Sequence, residues 1–226
     1  DDYWSLVNDV TLWDVSGERQ VEIIGNDAEK FVEYITPRDI SRCKVGQCMY
    51  VHLTEKNGGI VNDPVLLKLA ENHYWLSIAD SDVLLWCLGI ASSNKFDVHL
   101  SEPDASPLSL QGPKAINVMA KVSGDWVKNL KFFYFKEDFI QNIPVIIARS
   151  GWSGMSGYEI YLLDGTKGNI LWKIFMDSGQ EFKIAPAAPS QINRIECGML
   201  SYGSDMTINE NPFDISMDKF VNLDKE

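Results

Sequence analysis

The sequence is poor in the residues that build metal and redox centres. Its 226 residues include only three histidines and four cysteines. None of the histidines has a cysteine, an aspartate or another histidine at metal-ligand spacing. Cys43 and Cys48 form a C-x4-C pattern that matches no zinc or redox motif, and Cys87 and Cys197 lie in apolar, helix-like stretches. The sequence therefore predicts no metal site, and free, buried thiols in a reducing cytoplasm.

Several catalytic motifs are missing as well. The chain contains no phosphate-binding loop, no G-x-G-x-x-G fingerprint and no G-x-S-x-G elbow. The stretch Gly151-Trp152-Ser153-Gly154 departs from the elbow by one position. These absences argue against a kinase, a dinucleotide-dependent dehydrogenase and a serine hydrolase.

The charge balance argues against two classes of partner. There are 20 basic and 32 acidic residues, which give a formal net charge of −12. Such a surface repels phosphate backbones and anionic membranes, and no apolar run approaches the roughly 20 residues of a membrane helix. We therefore expect neither nucleic acid nor a membrane as a partner, and the sequence leaves the oligomeric state open.

What is present is typical of a soluble globular protein with 45% hydrophobic and 23% charged residues. Capping residues, prolines and apolar periodicity predict helices over 27–35, 81–91, 113–122, 168–176 and 189–200. Runs bounded by turn residues predict strands over 20–24, 49–54, 65–69, 74–79, 97–101, 108–111, 132–135, 145–148 and 158–163. Hairpins mixed with helices indicate an α+β fold.

Two proline-rich stretches are the candidate crossings between domains, 102–107 and 185–189. They predict a first subdomain over 1–101, a second α+β subdomain over 102–185, and a return to the first over 186–226.

A glycine pair precedes two polar side chains at residues 58–64. Gly58 and Gly59 allow a tight turn or a close approach to a ligand. Asn62 and Asp63 follow at the mouth of a strand, where their side chains can point into a cleft. The alternative interpretation is a hairpin turn with Asx capping.

A second segment, residues 151–161, combines three glycines with flat aromatic side chains. Glu159 and Tyr161 are two residues apart on a predicted strand and therefore share one face. A carboxylate can accept two parallel hydrogen bonds from an amidine-like edge, and a pterin ring offers both that edge and a flat face. The alternative is a glycine-rich hairpin with a solvated glutamate.

A third segment, residues 193–203, is typical of a helix that ends at glycine. Arg194 in this helix could bind a carboxylate, or it could pair with a nearby acid such as Glu196 or Glu181.

Five motifs in order resemble the glycine-cleavage T-protein (aminomethyltransferase) family. They are L-W-D-V-S at 12–16 against F-D-V-S, G-I-V-N-D at 59–63 against G-G-I-x-D-D, L-Q-G-P at 110–113, residues 151–160 against G-Y-T-G-E-x-G-x-E-I, and 194–203 against R-L-E-x-G-x-x-x-Y-G. The resemblance implies a T-protein-like fold with mixed and antiparallel sheets and packed helices in two interleaved subdomains. It also implies tetrahydrofolate, bound in a central cleft, as the partner of a small-molecule substrate.

The resemblance assigns roles to individual residues. Glu159 matches the glutamate that grips the pterin, and Trp152 and Tyr161 would line it or stack on it. Arg194 corresponds to an arginine near the cofactor, and Ser77 is carried over as a further cofactor-binding residue.

Two departures from the family pattern point to a branch within it. The first of two aspartates is Asn62 here, which disfavours aminomethyl chemistry, and the first loop glutamate is Met155, which indicates a more apolar pocket. Residues 62–69, 75–82, 148–151 and 200–205 are instead similar to the tetrahydrofolate-dependent demethylases of dimethylsulfoniopropionate. A sulfonium methyl group is already activated, so its transfer needs no metal. Asn62 and Asp63 are the predicted catalytic residues, and Tyr50, Trp152 and Tyr161 are the predicted faces for the cationic sulfonium.

Other members of the family remain as alternatives. They are an aminomethyltransferase of glycine cleavage, a methoxyarene O-demethylase, and a non-catalytic folate-binding assembly factor whose K-G-C-Y-x-G-Q-E motif residues 43–48 echo only loosely. The resemblance further implies that an N-terminal segment and a C-terminal β-barrel domain of the full protein are missing from this chain.

Overall fold

The computed structural model describes residues 2–79 and 81–225. Asp80, which belongs to the 75–82 stretch above, lies outside the described residues. The chain forms two compact units, one made of the residues up to Gly17 with Asp104–Met199, and one of Glu18–Pro103 with the residues from Leu200 onward. Each unit is therefore built from two separate stretches of the chain.

The described residues contain six α-helices and thirteen strands, with four short 3-10 helices. The helices are α1 (Asp2–Asn8), α2 (Ala28–Ile35), α3 (Val83–Asn94), α4 (Ala115–Ser123), α5 (Gly168–Gly179) and α6 (Gln191–Glu196). The strands are β1 (Val10–Asp14), β2 (Gln20–Ile24), β3 (Cys48–Tyr50), β4 (Leu53–Thr54), β5 (Ile60–Asn62), β6 (Val65–Ala70), β7 (His73–Ser77), β8 (His99–Ser101), β9 (Ser106–Gln111), β10 (Phe135–Ile140), β11 (Ile143–Ala148), β12 (Gly157–Leu162) and β13 (Ile184–Ala187).

The first unit is organised around a six-stranded sheet in the order β10-β11-β12-β9-β1-β13. All neighbours are antiparallel except β1 and β13, which run parallel. Alternate residues of the central strands, such as Leu110 and Ile160, are fully buried and pack with Phe175 of α5 and Val118 of α4. Because these strands are central, the side chains of β12 and β9 are held at fixed register on both sides.

The second unit contains an antiparallel sheet in the order β3-β6-β7-β2-β8 and a separate β4–β5 hairpin. Its core includes Ile23, Phe31, Tyr74 and Leu76, all fully buried, together with Cys87 of α3. The α2 helix buries Phe31 on the side that faces this core, as its amphipathic sequence requires.

Most predicted elements are confirmed, with shifted ends. The five predicted helices occur as α2 to α6, and the two predicted strands on either side of Glu71-Asn72 pair as β6 and β7. The last helix is shorter than predicted, since α6 ends at Glu196 and Gly198 follows with a positive φ of 68°. The α+β class is confirmed.

Four strand and domain predictions differ in detail from the structure. The 49–54 strand is split into β3 and β4, and 132–135 is not a strand because Phe133 takes a positive φ of 60° in a turn that leads into β10. The 185–189 stretch is not a crossing between units, because β13 pairs with β1 in the first sheet. The grouping into units also differs from the predicted division, since residues 1–17 go with 104–199 and the return begins at Leu200.

The thiol prediction needs one correction. All four cysteines are free, and Cys43, Cys48 and Cys87 are buried, but Cys197 is exposed. It follows α6, whose buried residues are the polar Asn193 and Arg194. Within the described ranges, no helix is both long enough and apolar enough to cross a membrane.

Candidate functional site

The glycine pair of the second unit forms the turn of the β4–β5 hairpin. The backbone N–H of Glu55 donates to the carbonyl of Gly59 at 2.9 Å, and the carboxylate of Glu55 accepts from the N–H of Gly59 at 3.1 Å. The chain passes so close to Ile208 that a Cβ on Gly59 would overlap the Ile208 carbonyl oxygen. The hairpin interpretation therefore explains both glycines without a ligand.

Replacing Gly59 by alanine should lower the free energy of unfolding by about 2 kcal/mol, because the backbone near Ile208 would have to shift. Denaturant unfolding measures this loss. Gly17 is the matched control, since nothing lies within 4 Å of a Cβ built there, and its alanine variant should change stability by less than about 0.5 kcal/mol. Equal losses of stability in the two variants would show that the close approach of Gly59 to Ile208 does not make alanine unfavourable at position 59.

Asn62 uses its whole amide group inside the second unit. Its Nδ2 donates to the carbonyl of Ala79 at 3.2 Å and to Ser81 Oγ at 2.9 Å. Its Oδ1 accepts from the N–H of Asp63 at 3.0 Å and of Ala79 at 3.2 Å. These bonds fill both donors and both lone pairs of a carboxamide. We therefore infer that Asn62 fixes the position of Asp63 and does not itself take part in the chemistry.

Asp63 is a carboxyl group whose surroundings disfavour its charge. Burial raises its pKa from the ordinary value to about 7, and the neighbouring Asp205 acts in the same direction. The hydroxyl of Tyr50 donates to Asp63 Oδ2 at 2.9 Å, which offsets part of this shift. The group thus changes charge near neutral pH, which suits a residue that moves or holds a proton.

Tyr50 is fixed from several sides. Arg38 donates to its backbone carbonyl, and its ring makes T-shaped contacts with His52 and Phe220 at centroid distances of 5.0 and 5.5 Å. Burial lowers the pKa of His52 to about 4, so this imidazole is neutral at physiological pH and adds no positive charge beside Tyr50. Because these contacts fix Tyr50, its hydroxyl stays in place to donate its hydrogen bond to Asp63.

Ser77, the remaining predicted residue of the second unit, ends β7. It lies opposite Gln20 of β2 and Val65 of β6 in the sheet. Its Oγ accepts a hydrogen bond of 3.3 Å from the side chain of Gln20.

Glu159 of the first unit is placed by a central strand. It lies on β12 opposite Ser109 of β9 and Ala148 of β11. Ser150 Oγ donates a short hydrogen bond to Glu159 Oε2. Burial raises the pKa of Glu159, while the bond from Ser150 lowers it in part. The glutamate is therefore no solvated hairpin residue, and a ligand that donates hydrogen bonds would stabilise its ionised form.

Aromatic groups and an arginine occur in the same unit as Glu159. Tyr161 follows on the same face of β12 and is 1% exposed. The guanidinium carbon of Arg194 lies 5.2 Å from the centroid of the Trp152 ring, a cation–π distance. Such a set can bind a flat ligand that carries donors at one edge and a negative group elsewhere.

Arg194 forms hydrogen bonds with two residues close to it in the sequence. Its Nε donates to Gln191 Oε1 at 2.6 Å and its guanidinium donates to the carbonyl of Met199 at 3.0 Å. Glu181 accepts from Lys121 at 2.5 Å, and Glu196 accepts from the Tyr3 hydroxyl at 2.8 Å.

The predicted site residues thus fall into two groups, each within one unit. The first unit holds Trp152, Glu159, Tyr161 and Arg194, and the second holds Tyr50, Asn62, Asp63 and Ser77. Sequence reasoning missed Ser150, which contacts Glu159, because a lone serine before a glycine carries no signal of that contact. Among the described residues, no group of three or more His, Cys, Asp or Glu side chains could hold a metal ion.

Comparison with known proteins gives one consistent set of relatives. The model of the GCVT N-terminal domain matches residues 1–225. A dimethylsulfoniopropionate demethylase of Ruegeria pomeroyi is 44% identical over 96% of this chain and 60% of its own length. An aminomethyltransferase of Clostridium botulinum is 32% identical over 95% of this chain and 60% of its own length.

The fold has a close counterpart among solved structures. The aminomethyltransferase of the glycine cleavage system from Bartonella henselae superimposes with a TM-score of 0.87 at 26% identity, over 98% of this chain and 60% of that one. The chain therefore spans about 60% of the length of these relatives.

Proposed function

This chain belongs to the family of GCVT N-terminal domains, and from that premise we propose that it is the folate-binding part of a tetrahydrofolate-dependent methyltransferase. The proposed methyl donor is a small sulfonium acid such as dimethylsulfoniopropionate. The cytoplasm remains the predicted location.

The observation that carries the proposal is the setting of Glu159. Its carboxylate is fixed by Ser150 on a central strand, and burial raises its pKa. A partly buried carboxylate is stabilised by a partner with two parallel N–H donors, and the amino-pyrimidine edge of a pterin has that pattern. Tyr161 on the same strand face supports a flat ring at this place. The residues present therefore fit tetrahydrofolate.

The chemistry needs positioning more than acid–base power. Tetrahydrofolate supplies the N5 lone pair that accepts the methyl group, while the electron pair of the breaking carbon–sulfur bond stays on the neutral thioether. The protein residues would bind the two partners in line and exclude water. Within the first unit, we assign Glu159 and Arg194 to folate and the aromatic faces of Trp152 and Tyr161 to the sulfonium.

Asp63 has the remaining role in this proposal. Its ionised form in the second unit would attract the cationic sulfonium donor. Tyr50 donates to its carboxyl group, and Asn62 accepts a hydrogen bond from its backbone N–H. The proton that N5 releases once it carries the methyl group passes to solvent.

The choice of a sulfonium donor rests on two observations. Identity to the Ruegeria demethylase is 44%, against 32% for the clostridial aminomethyltransferase over a similar span. The amide nitrogen of Asn62 donates to the Ala79 carbonyl, and an aspartate at this position has no hydrogen to donate there. The local structure is thus adapted to asparagine.

The test measures binding and transfer separately. Tetrahydrofolate is titrated into the purified chain by calorimetry under anaerobic conditions, and 5-methyltetrahydrofolate is then quantified by chromatography after addition of dimethylsulfoniopropionate. A methoxybenzoate and an aminomethylated lipoyl protein serve as competing donors. The Ruegeria relative is the positive control.

Binding together with methyl transfer from the sulfonium alone is the expected result. Transfer from the methoxybenzoate or the lipoyl protein would replace the donor class and keep the folate site. Binding by the relative but not by this chain would contradict the folate-binding assignment.

A further inference from the structure

Gln111 is a buried polar residue for which the proposed chemistry has no use. It ends β9 and is fully buried. Its Nε2 donates to Ser109 Oγ at 3.0 Å and to the carbonyl of Ser150 at 3.2 Å. Its Oε1 accepts from Ser153 Oγ at 2.7 Å. Both ends of the amide are therefore committed, two of the three bonds to the loop between β11 and β12.

That loop, residues 149–156, is called the glycine loop from here on. A Cβ placed on Gly151 or on Gly157, the first residue of β12, would overlap the amide of Gln111. The loop therefore rests directly on the Gln111 side chain at both of its ends. Glycine is required at these two positions because the amide occupies the space that a side chain would need.

The residues that Gln111 contacts lie on either side of Trp152. Ser150 precedes it and donates to the Glu159 carboxylate. Ser153 follows it, and its Oγ also accepts from the N–H of Met155 at 3.1 Å. One buried amide thus fixes the chain before and after Trp152 and, through Ser150, the orientation of Glu159.

We propose that Gln111 is a positioning residue for the ligand site of the first unit, holding the glycine loop so that Trp152 and Glu159 meet the ligand together. This inference rests on the proposed folate function. The inference goes beyond that function because it assigns the geometry of the site to a side chain that does not touch the ligand. Buried, fully bonded amides are rigid, and a shift of a binding group by about 1 Å can cost 100-fold in function.

The first experiment compares three variants by their dissociation constant for tetrahydrofolate. Gln111→Met keeps the length of the side chain and removes its hydrogen bonds, and it should weaken binding about 30-fold. Ser153→Ala removes one hydroxyl and should weaken binding about 5-fold. Ser123→Ala is the matched control, since the Ser123 hydroxyl is buried and has no hydrogen-bond partner among the described residues, and it should leave binding within 2-fold of the original chain.

A second measurement separates positioning from plain packing. The Trp152→Ala change is combined with Gln111→Met, and the effects on folate binding are compared. If Gln111 acts through the glycine loop, its replacement should cost less than about 10-fold once Trp152 is gone, because only the part transmitted through Ser150 to Glu159 remains. If Gln111 only fills space in the core, the fold losses in affinity of the two single variants should multiply in the double variant. Circular dichroism records the folded state of each variant, and Ser153→Ala decides the question if Gln111→Met does not fold.

The failure of this inference and that of the proposed function give different results. Normal folate binding by Gln111→Met and Ser153→Ala, or multiplied losses in the double variant, would overturn the positioning role while Glu159→Gln still loses binding. Normal binding by Glu159→Gln as well would overturn the folate function and the inference together.

Discussion

Replacing Glu159 by glutamine should weaken tetrahydrofolate binding by about 100-fold, since two hydrogen bonds to a charged acceptor are each worth about 1.5–3 kcal/mol. The glutamine keeps the shape of the side chain but turns an N–H toward a ligand edge that also donates. Burial raises the pKa of Glu159 in the free chain. Affinity of the original chain should therefore increase with pH until this group is ionised, and the variant should lack that dependence. Calorimetric titration at several pH values measures both effects.

Glu137 provides the control for this prediction. It is an exposed glutamate on β10 of the same sheet, and Glu137→Gln removes the same charge from the same unit. Its folate affinity should stay within 2-fold of the original chain. A similar loss in both variants would assign the effect to the net charge of the unit.

The Asp63→Asn variant should lose about 100-fold in turnover, because the second unit loses the carboxylate that attracts the cationic donor. Because the pKa of Asp63 is about 7, turnover of the original protein should rise with pH through this value. The variant should give a flat profile between about pH 5.5 and 8.5. Exposed Asp218 in the same unit supplies the control variant Asp218→Asn. Unchanged turnover in Asp63→Asn would remove Asp63 from the mechanism.

The raised pKa of Asp63 should also make the free energy of unfolding depend on pH, in a direction that follows from the shift. A carboxyl whose folded pKa is raised binds its proton more tightly in the folded chain than in the unfolded one. The free energy of unfolding of the original chain should therefore fall, relative to Asp63→Asn, as pH rises from about 4 to about 7. The expected difference is about 2 kcal/mol, since the carboxyl is only partly buried and each pKa unit is worth about 1.4 kcal/mol. Urea unfolding at both pH values measures it.

Local sequence signals were sufficient to predict the elements that have both a start signal and a stop signal in the sequence. The β2 strand was predicted with its observed ends, and α2 lies between Asp27 and the Thr36-Pro37 stop. The β13 strand was taken for a linker because of its alanines and prolines. Pro186 is tolerated there because β13 lies at the edge of the sheet, and only its pairing with β1 reveals it as a strand.

Among the site residues, some positions follow from short sequence patterns, whereas others depend on contacts with residues far away in the sequence. The period of two along β12 was enough to place Glu159 and Tyr161 on one face. The contacts that tie up Asn62 come from residues 17 and 19 positions later, and Gln111 meets Ser150 across 39 positions. No short pattern encodes these pairings, because they depend on how the strands are ordered in the sheet.

The parallel pair β1–β13 has a consequence for how the protein is made. Val10 lies opposite Ile184, so the ribosome must add about 170 residues before this edge of the sheet can close. At about 5–20 residues per second, β1 waits roughly 10–30 seconds for its partner. During that time β1 has at least one unpaired edge, since its other neighbour β9 is also made later, and strand edges of this kind associate readily with other chains. We therefore expect the yield of folded protein to depend more on translation speed and on chaperones that shield nascent strands than the stability of the finished fold would suggest.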